Sequence, residues 1–309
     1  MKPLTSQLYA NETDLDAMID LLTRSRPAAH IADYPGIYDL QELMLLPEVQ
    51  QNTRLWYGNN GRLQAFAITH IQYHNIYFEI APEIWDDTIA KEIFAWGEAR
   101  IKRVYADASE PVTLDTSCRE DDAPRLALLQ RHGFVPDGVR SLILARSLHD
   151  PIPEPVLPDG YVIRAVAGES EAEALVALHR AAFGTANMTI TERLAMMRAP
   201  EYDRELDLIA VAPDGRFAAF CVGSISAEEN IRSGQQVGFT DPVGTHPDFQ
   251  RRGLARALLL AGMRLLQKRG METAVLGTSS QNIAMQKTAE SVGFKVLSSK
   301  IWFTRPIER

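Results

Sequence analysis

The chain reads as a mixed α/β (α+β) protein made of two tandem copies of one sheet-and-helix unit. Three observations predict this. Matching strands, turns and helices recur in the same order in both halves. A proline-rich stretch lies between the halves. In the second half, a polar turn with two arginines joins an apolar run to a long apolar-periodic segment. A length of 309 residues accommodates two ordinary domains.

The second half is the clearer copy. Tyr161-Val162-Ile163-Arg164 is apolar and β-rich, a first strand. Glu171 to Ala182 places Leu175, Leu178 and Ala182 on one helical face. Leu208 to Ala212, the turn Pro213-Asp214-Gly215 and Phe217 to Ile225 form a hairpin pattern. Val237 to Thr245 reads as a fourth strand. Leu254 to Arg269 reads as a helix, with Leu254, Leu258, Ala261 and Leu265 at helical spacing and Gly270 as its stop. Thr273 to Thr278 is a strand, Asn282 to Val292 a helix ended by Gly293-Phe294, and Lys295 to Thr304 a last strand.

The first half repeats the pattern. Arg54 to Tyr57, Asn59-Asn60-Gly61-Arg62 and Gln64 to Ile68 make a hairpin in which Gly61 pairs with Gly215 and Phe66 with Phe220 at one common separation. Val112 to Ser117 parallels Val275 to Ser279, and Gly133-Phe134 parallels Gly293-Phe294. The arginine-rich turn is missing. After a strand from Asn75 to Ile80 come Glu83, Asp86 and Asp87, three acids where the second copy has Arg251 and Arg252. Carboxylates at a helix start satisfy the dipole themselves and repel a phosphate. The first copy is expected to support the structure and to contribute to an acceptor pocket.

His149 to Gly160 carries four prolines, which deny it helix or central-strand structure. The expected division is a first domain at 1–150, a stiff linker at 151–160 and a second domain at 161–309. Charge differs between the halves. Residues from Tyr161 on carry net +2 and those before it −10, within a total of −8. A polyanionic ligand therefore belongs with the second half, and the acidic first half argues against nucleic acid. Acidic surface also serves solubility. Cys118 and Cys221 lie in different halves in or beside apolar strands, so neither a disulfide framework nor a zinc site is expected, and Cys221 reads as packing. The first seven residues lack a signal-peptide core and no apolar run reaches spanning length. The expected location is the cytoplasm, with no membrane partner. A homodimer is left open.

His246-Pro247-Asp248-Phe249-Gln250-Arg251-Arg252-Gly253-Leu254-Ala255 opens the long helix. The first N–H groups of a helix have no internal partner, and the dipole there favours negative charge. Gly253 has no Cβ, so a bulky anion can approach the backbone. The spacing Gln-x-x-Gly-x-Ala from Gln250 to Ala255, with the order of elements around it, resembles the GNAT superfamily of acyl-CoA N-acyltransferases. The likeness covers nearly all of Tyr161 to Arg309. It implies two tandem GNAT-like domains, each a mixed, mostly antiparallel twisted sheet flanked by helices, with the first degenerate.

The resemblance also implies a chemistry. Acetyl-CoA would be the co-substrate, without a metal, and a small-molecule amine the acceptor, attacking directly in a ternary complex. Gln250, Arg251, Arg252, Gly253, Leu254, Ala255 and Arg256 would hold the pyrophosphate, and Asn282 the pantetheine arm or phosphates. The alternative for Asn282 is a plain N-cap, which is compatible. The Val243 N–H would meet the thioester carbonyl, and Gly244 and Thr245 would pair with the pantetheine. Asp241, counted with Val243 and Thr245 on one strand face, is the expected general base, with a cap before Pro242 as its other reading. His246 is a rival base or a turn residue. Many members carry a tyrosine seven positions after the helix asparagine to protonate the leaving thiolate; here Ala289 stands there, leaving Thr288, Ser291 or water. That departure keeps open a non-catalytic acyl-CoA-binding sensor or scaffold. A nucleotide-binding protein is disfavoured, because neither nucleotide-binding glycine motif occurs at this turn. The acceptor is expected to meet Phe183 to Tyr202, Ala227 to Gln235 and surfaces of the first domain. Met188, Met196 and Met197 read as core or as pocket lining.

Overall fold

The structure, a computed structural model, describes residues 4–107 and 111–308. These residues fall into two units. One comprises the chain up to Arg140 together with the residues from Lys300 on; the other is Ser141–Ser299.

In the first unit, β1 (Thr5–Leu8) leads to α1 (Glu12–Ser25), started by the Asn11 side chain accepting from the Thr13 N–H. Next come α2 (Ile37–Leu43) and α3 (Pro47–Gln51). The strands β2 (Thr53–Tyr57) and β3 (Leu63–His70) form the expected hairpin, and β4 (Asn75–Ile80) extends it antiparallel. Then follow α4 (Asp87–Val104), β5 (Thr113–Arg119), α5 (Ala123–Arg131) and the start of β6 (Val135–Ser147), whose residues from Ser141 on belong to the second unit. Trp56, Phe78, Phe94 and Phe134 fill the core between sheet and helices. The parallel pairing of β4 with β5 is confined to Asn75 opposite Asp115.

The second unit runs β7 (Val162–Ala165), α6 (Ala172–Phe183), α7 (Ile190–Arg198), β8 (Asp207–Val211), β9 (Phe217–Val222) and α8 (Ala227–Ser233). It continues through β10 (Val237–Phe239), β11 (Val243–Thr245), α9 (Leu254–Lys268), β12 (Thr273–Ser279), α10 (Ile283–Ser291) and the start of β13 (Lys295–Pro306), whose residues from Lys300 on belong to the first unit. The apolar face of α9 is buried as its periodicity predicts, with Leu254 and Leu258 in the core and Ala261 and Leu265 packed against it. Leu175 and Leu178 of α6 are buried in a second cluster with Phe220, and Ala182 packs on it.

The last strands are exchanged. Ser141–Ser147 of β6 pair antiparallel with β12, and Lys300–Pro306 of β13 pair antiparallel with β5. The final strand of each sequence copy completes the sheet of the other. The compact units therefore differ from the expected 1–150 and 161–309. Proline marks where a ladder hydrogen bond is lost, not which sheet a neighbouring strand joins. The stretch 151–160 has no helix or strand, as expected, but it is fastened to the second unit. Arg146 donates to the Pro151 carbonyl and Arg264 to that of Ile152, both at 2.9 Å, and Ile152 is buried.

The two copies hold one register around the strand that matters most. Glu79 of β4 lies opposite Phe66, and the Ala81 N–H reaches the Gln64 carbonyl at 2.8 Å. Gly244 of β11 lies opposite Phe220, and the His246 N–H reaches the Ala218 carbonyl at 2.9 Å. Phe78 is thus the counterpart of Val243. Among the described residues, no helix is long and apolar enough to cross a membrane.

Candidate active site

Among the described residues, the arginine-rich turn leaves a run of backbone N–H groups unpaired at the start of α9. Pro247–Phe249 makes a short 3-10 turn, started by His246, whose Nδ1 accepts from the Asp248 N–H at 3.2 Å. Arg251 and Gly253 both take left-handed backbone, at φ 60° and 78°. At Gly253 a side chain would be strained by that φ, although space is open around it. The first helical bond runs from the Ala257 N–H to the Gly253 carbonyl at 3.0 Å. Among the described residues, the N–H groups from Arg251 to Arg256 have no backbone acceptor. Unpaired N–H groups at a helix start, together with the helix dipole, favour negative charge. Leu254 is buried and anchors the turn.

The two arginines differ. Arg251 is exposed. Arg252 is pinned: it donates to the Tyr161 hydroxyl at 2.8 Å and to the Asp248 carbonyl at 3.1 Å, with its guanidinium 5.5 Å from the Phe249 ring centre. Arg216 lies over the same ring at 4.5 Å and pairs with Asp248 at 3.1 Å. Tyr161 and Arg216 were not singled out from the sequence. Arg216 follows Gly215 as Arg62 follows Gly61, and that match in the repeat was the available signal.

Upstream of the turn the strand divides. β10 pairs parallel with β12 as far as Phe239 opposite Val275, and the Thr240 N–H still reaches the Val275 carbonyl at 2.9 Å. Among the described residues, β11 instead pairs with β9 alone. The Val222 N–H donates to the Pro242 carbonyl at 3.1 Å and His246 donates to Ala218. Positions 242, 244 and 246 therefore face β9, and the backbone groups of Val243 and Thr245 turn to the open edge. Gln250 Nε2 reaches the Thr245 carbonyl at 3.5 Å, linking edge and turn. Gly244 is required by packing: a Cβ there would stand 2.5 Å from Phe220 and 2.9 Å from Ala182 of α6.

The strand breaks at 240–242, so one alternation does not run from Asp241 through Thr245. Its Oδ2 accepts from the Gly277 N–H of β12 at 3.0 Å, bridging the strands where they part. His246 caps its own turn. Asn282 caps α10, with Oδ1 accepting from the Met285 N–H at 3.0 Å. Ala289 is fully buried. The neighbouring hydroxyls are spent within the helix: Thr288 donates to Ala284 at 2.8 Å and Ser291 to Thr288 at 2.7 Å. Both cysteines are buried, and burial pushes the Cys221 thiol up, further raised by Asp241 and Asp207. That suits packing rather than nucleophilic work.

The expected acceptor segments fold as α7 and α8. Under α6 and α7, Met188 and Met196 line a small cavity with His179, Arg193, Asp207 and Pro242. Sequence reasoning named the methionines but not the polar residues. Burial holds the His179 imidazole below its usual pKa, and the Arg193 charge adds to this.

In the first unit the same places are closed. Asp86 Oδ1 accepts from the Thr88 and Ile89 N–H groups at 2.8 and 3.1 Å, and Asp87 pairs with Arg131 at 3.1 Å. The helix start is satisfied by its own carboxylates.

Residues 172–294 match the sequence profile of the Acetyltransferase (GNAT) family. The chain is 27% identical over 190 residues to a mycothiol acetyltransferase of Saccharomonospora viridis, covering 60% of this chain and 62% of that one. It is 35% identical over 159 residues to a mycothiol acetyltransferase of Nocardia farcinica, covering 49% and 51%. In both pairings the chain spans less than two-thirds of its relative. In fold it is similar over its whole length to a GCN5-related N-acetyltransferase from Sphaerobacter thermophilus, with a TM-score of 0.71 at 22% identity and coverage of 100% and 97%. A tandem GNAT protein from the clavulanic acid biosynthesis pathway gives a TM-score of 0.71 at 15% identity, covering 99% of each chain.

Proposed function

We propose, from the premise that this chain belongs to the GNAT acetyltransferase family through its second unit, that it transfers an acetyl group from acetyl-CoA to the amine of a small molecule. The carrying observation is the continuity of the open β11 edge with the N–H cradle at Arg251–Arg256. A chain of amides ending in a diphosphate matches that run of groups. Relatives named mycothiol acetyltransferases support a small-molecule acceptor.

Acetyl-CoA supplies the activated acyl group. The residues of the chain bind and orient it. Arg251, Arg256 and the pinned Arg252 neutralise the diphosphate, while Gly253 lets it reach the backbone. Thr245 pairs with the arm and Asn282 stands beside it. The Val243 N–H is aimed where negative charge develops on the carbonyl oxygen, a dipole fixed in advance by the β9 ladder. Asp241 stands at the point of divergence, where its carboxylate accepts the amine proton, directly or through water.

A second reading is favoured by Ala289 and by the committed Thr288 and Ser291 hydroxyls: an acyl-CoA-binding module without transfer. Incubation with acetyl-CoA and a panel of amines separates the two. Amine-dependent release of free thiol supports the transferase; tight binding without release supports the module.

A further inference from the structure

The cavity under α6 and α7 measures about 20 Å³, room for one water-sized group. Its lining is mostly apolar, with Leu175, Phe220 and Val222 among the walls, and includes three polar residues, His179, Arg193 and Asp207. Arg193 and Asp207 are 5% and 1% exposed. Asp207 Oδ2 accepts from Arg193 Nη2 and, at 2.6 Å, from the Tyr202 hydroxyl. Among the described residues, Asp207 Oδ1, Arg193 Nε and His179 Nδ1 are buried without a hydrogen-bond partner. Buried polar atoms are nearly always paired, so three such atoms on residues lining one cavity call for an occupant.

The donor and acceptor inventory selects its chemistry. The Asp207 oxygen needs a donor, and the Arg193 N–H needs an acceptor. An ammonium only donates and would face the guanidinium; a carboxylate only accepts and would face Asp207. A hydroxyl does both: its one O–H donates to Asp207, and its oxygen accepts from Arg193 and from His179 carrying its proton on Nδ1. The place is fitting as well. Pro242, which lines the cavity, stands between Asp241 and Val243, beside the proposed reacting carbonyl.

We propose that this cavity is a hydroxyl-binding subsite for the acyl acceptor, held by Asp207, Arg193 and His179. The proposal rests on the transferase reading above and adds a class of acceptor, a hydroxylated amine.

The test uses matched amines on the full chain: trans-2-aminocyclohexanol with cyclohexylamine, and ethanolamine with ethylamine. Calorimetry gives each affinity, and nitrogen resonances of labelled histidine report His179. The expected result is at least ten-fold tighter binding of a hydroxylated member, with a moved His179 Nδ1 signal. The affinity ratio should fall towards one in Asp207→Asn and in His179→Phe. The latter keeps a ring against Phe220, 5.7 Å away, and decides the matter if the former does not fold. Equal affinities within both pairs, or a ratio unchanged in His179→Phe, overturn the proposal and leave the cavity to water. Acetyl-CoA binding is measured on the same samples. Binding without hydroxyl discrimination sinks the subsite alone. Absence of acetyl-CoA binding sinks the transferase reading, while the resonance arm still decides what the cavity holds.

Discussion

Arg125 Nη1 donates to the carbonyl of Phe78 at 2.9 Å, and Phe78 is the β4 counterpart of Val243. In the second unit that backbone position faces an open edge. In the first, a side chain from α5 has closed on it. Arg125 also donates to Glu79 at 3.1 Å and lies over the rings of Phe78 and Trp85 at 4.7 and 5.4 Å. Arg26 holds the other Glu79 oxygen at 2.8 Å. The first unit has thus filled its parted strands with its own ion pairs.

The Glu79 network makes the first stability prediction. Burial opposes ionisation of Glu79, but the charges of Arg26 and Arg125 outweigh it and lower its pKa from 4.5. A depressed carboxyl pKa contributes stability above the unfolded value that is lost as pH falls through the folded one. Arg125→Met leaves a buried carboxylate with one partner. Urea unfolding at pH 7 should show a loss of about 3 kcal/mol. The deficit should shrink as pH falls below about 4.5 and Glu79 becomes protonated. A deficit independent of pH contradicts the network.

Tyr161 acts on the cradle through Arg252. Tyr161→Phe removes the hydroxyl that receives the guanidinium and leaves the ring at 6.2 Å from Phe249. Affinity for acetyl-CoA should fall by about 0.5–1 kcal/mol, a few-fold in Kd, with unchanged unfolding. An unaltered Kd would mean that Arg252 needs no such positioning.

Asp241 carries a structural and a proposed chemical role, and two substitutions separate them. Asp241→Asn keeps an oxygen for the Gly277 N–H but not the base. Its kcat should drop about 10²–10⁴-fold while Tm holds. Asp241→Ala should lose both. A full-rate asparagine variant removes Asp241 from the chemistry.

The cysteines should be silent. Cys118 is 2% exposed, with its thiol pushed up to about 12 by burial; Cys221 is fully buried and also raised. A thiol reagent at pH 8 should label neither in the folded protein and both in denaturant. Rapid labelling of either in the native state contradicts this packing.

What the sequence made legible were the features written locally. The hairpin turns at Gly61 and Gly215, the α9 stripe from Leu254 to Leu265 and the polar turn that opens α9 each depend on neighbours in the chain. The strand exchange was not legible, because alternation tells a strand's faces and not its partners. Val237 to Thr245 is two strands and not one, because the segment pairs first with β12 and then with β9, and a single alternation does not run through it. His179, Arg193 and Asp207 meet from three different elements, and no spacing announces that.

The most direct test is calorimetric titration of the full chain with acetyl-CoA, beside an Arg251→Ala/Arg252→Ala variant. One site per chain is predicted, since the second unit has the cradle and Arg125 closes the first. The double variant should lose at least ten-fold in affinity. Absence of binding, or binding that the double variant retains in full, contradicts the assignment of this loop as a coenzyme A site.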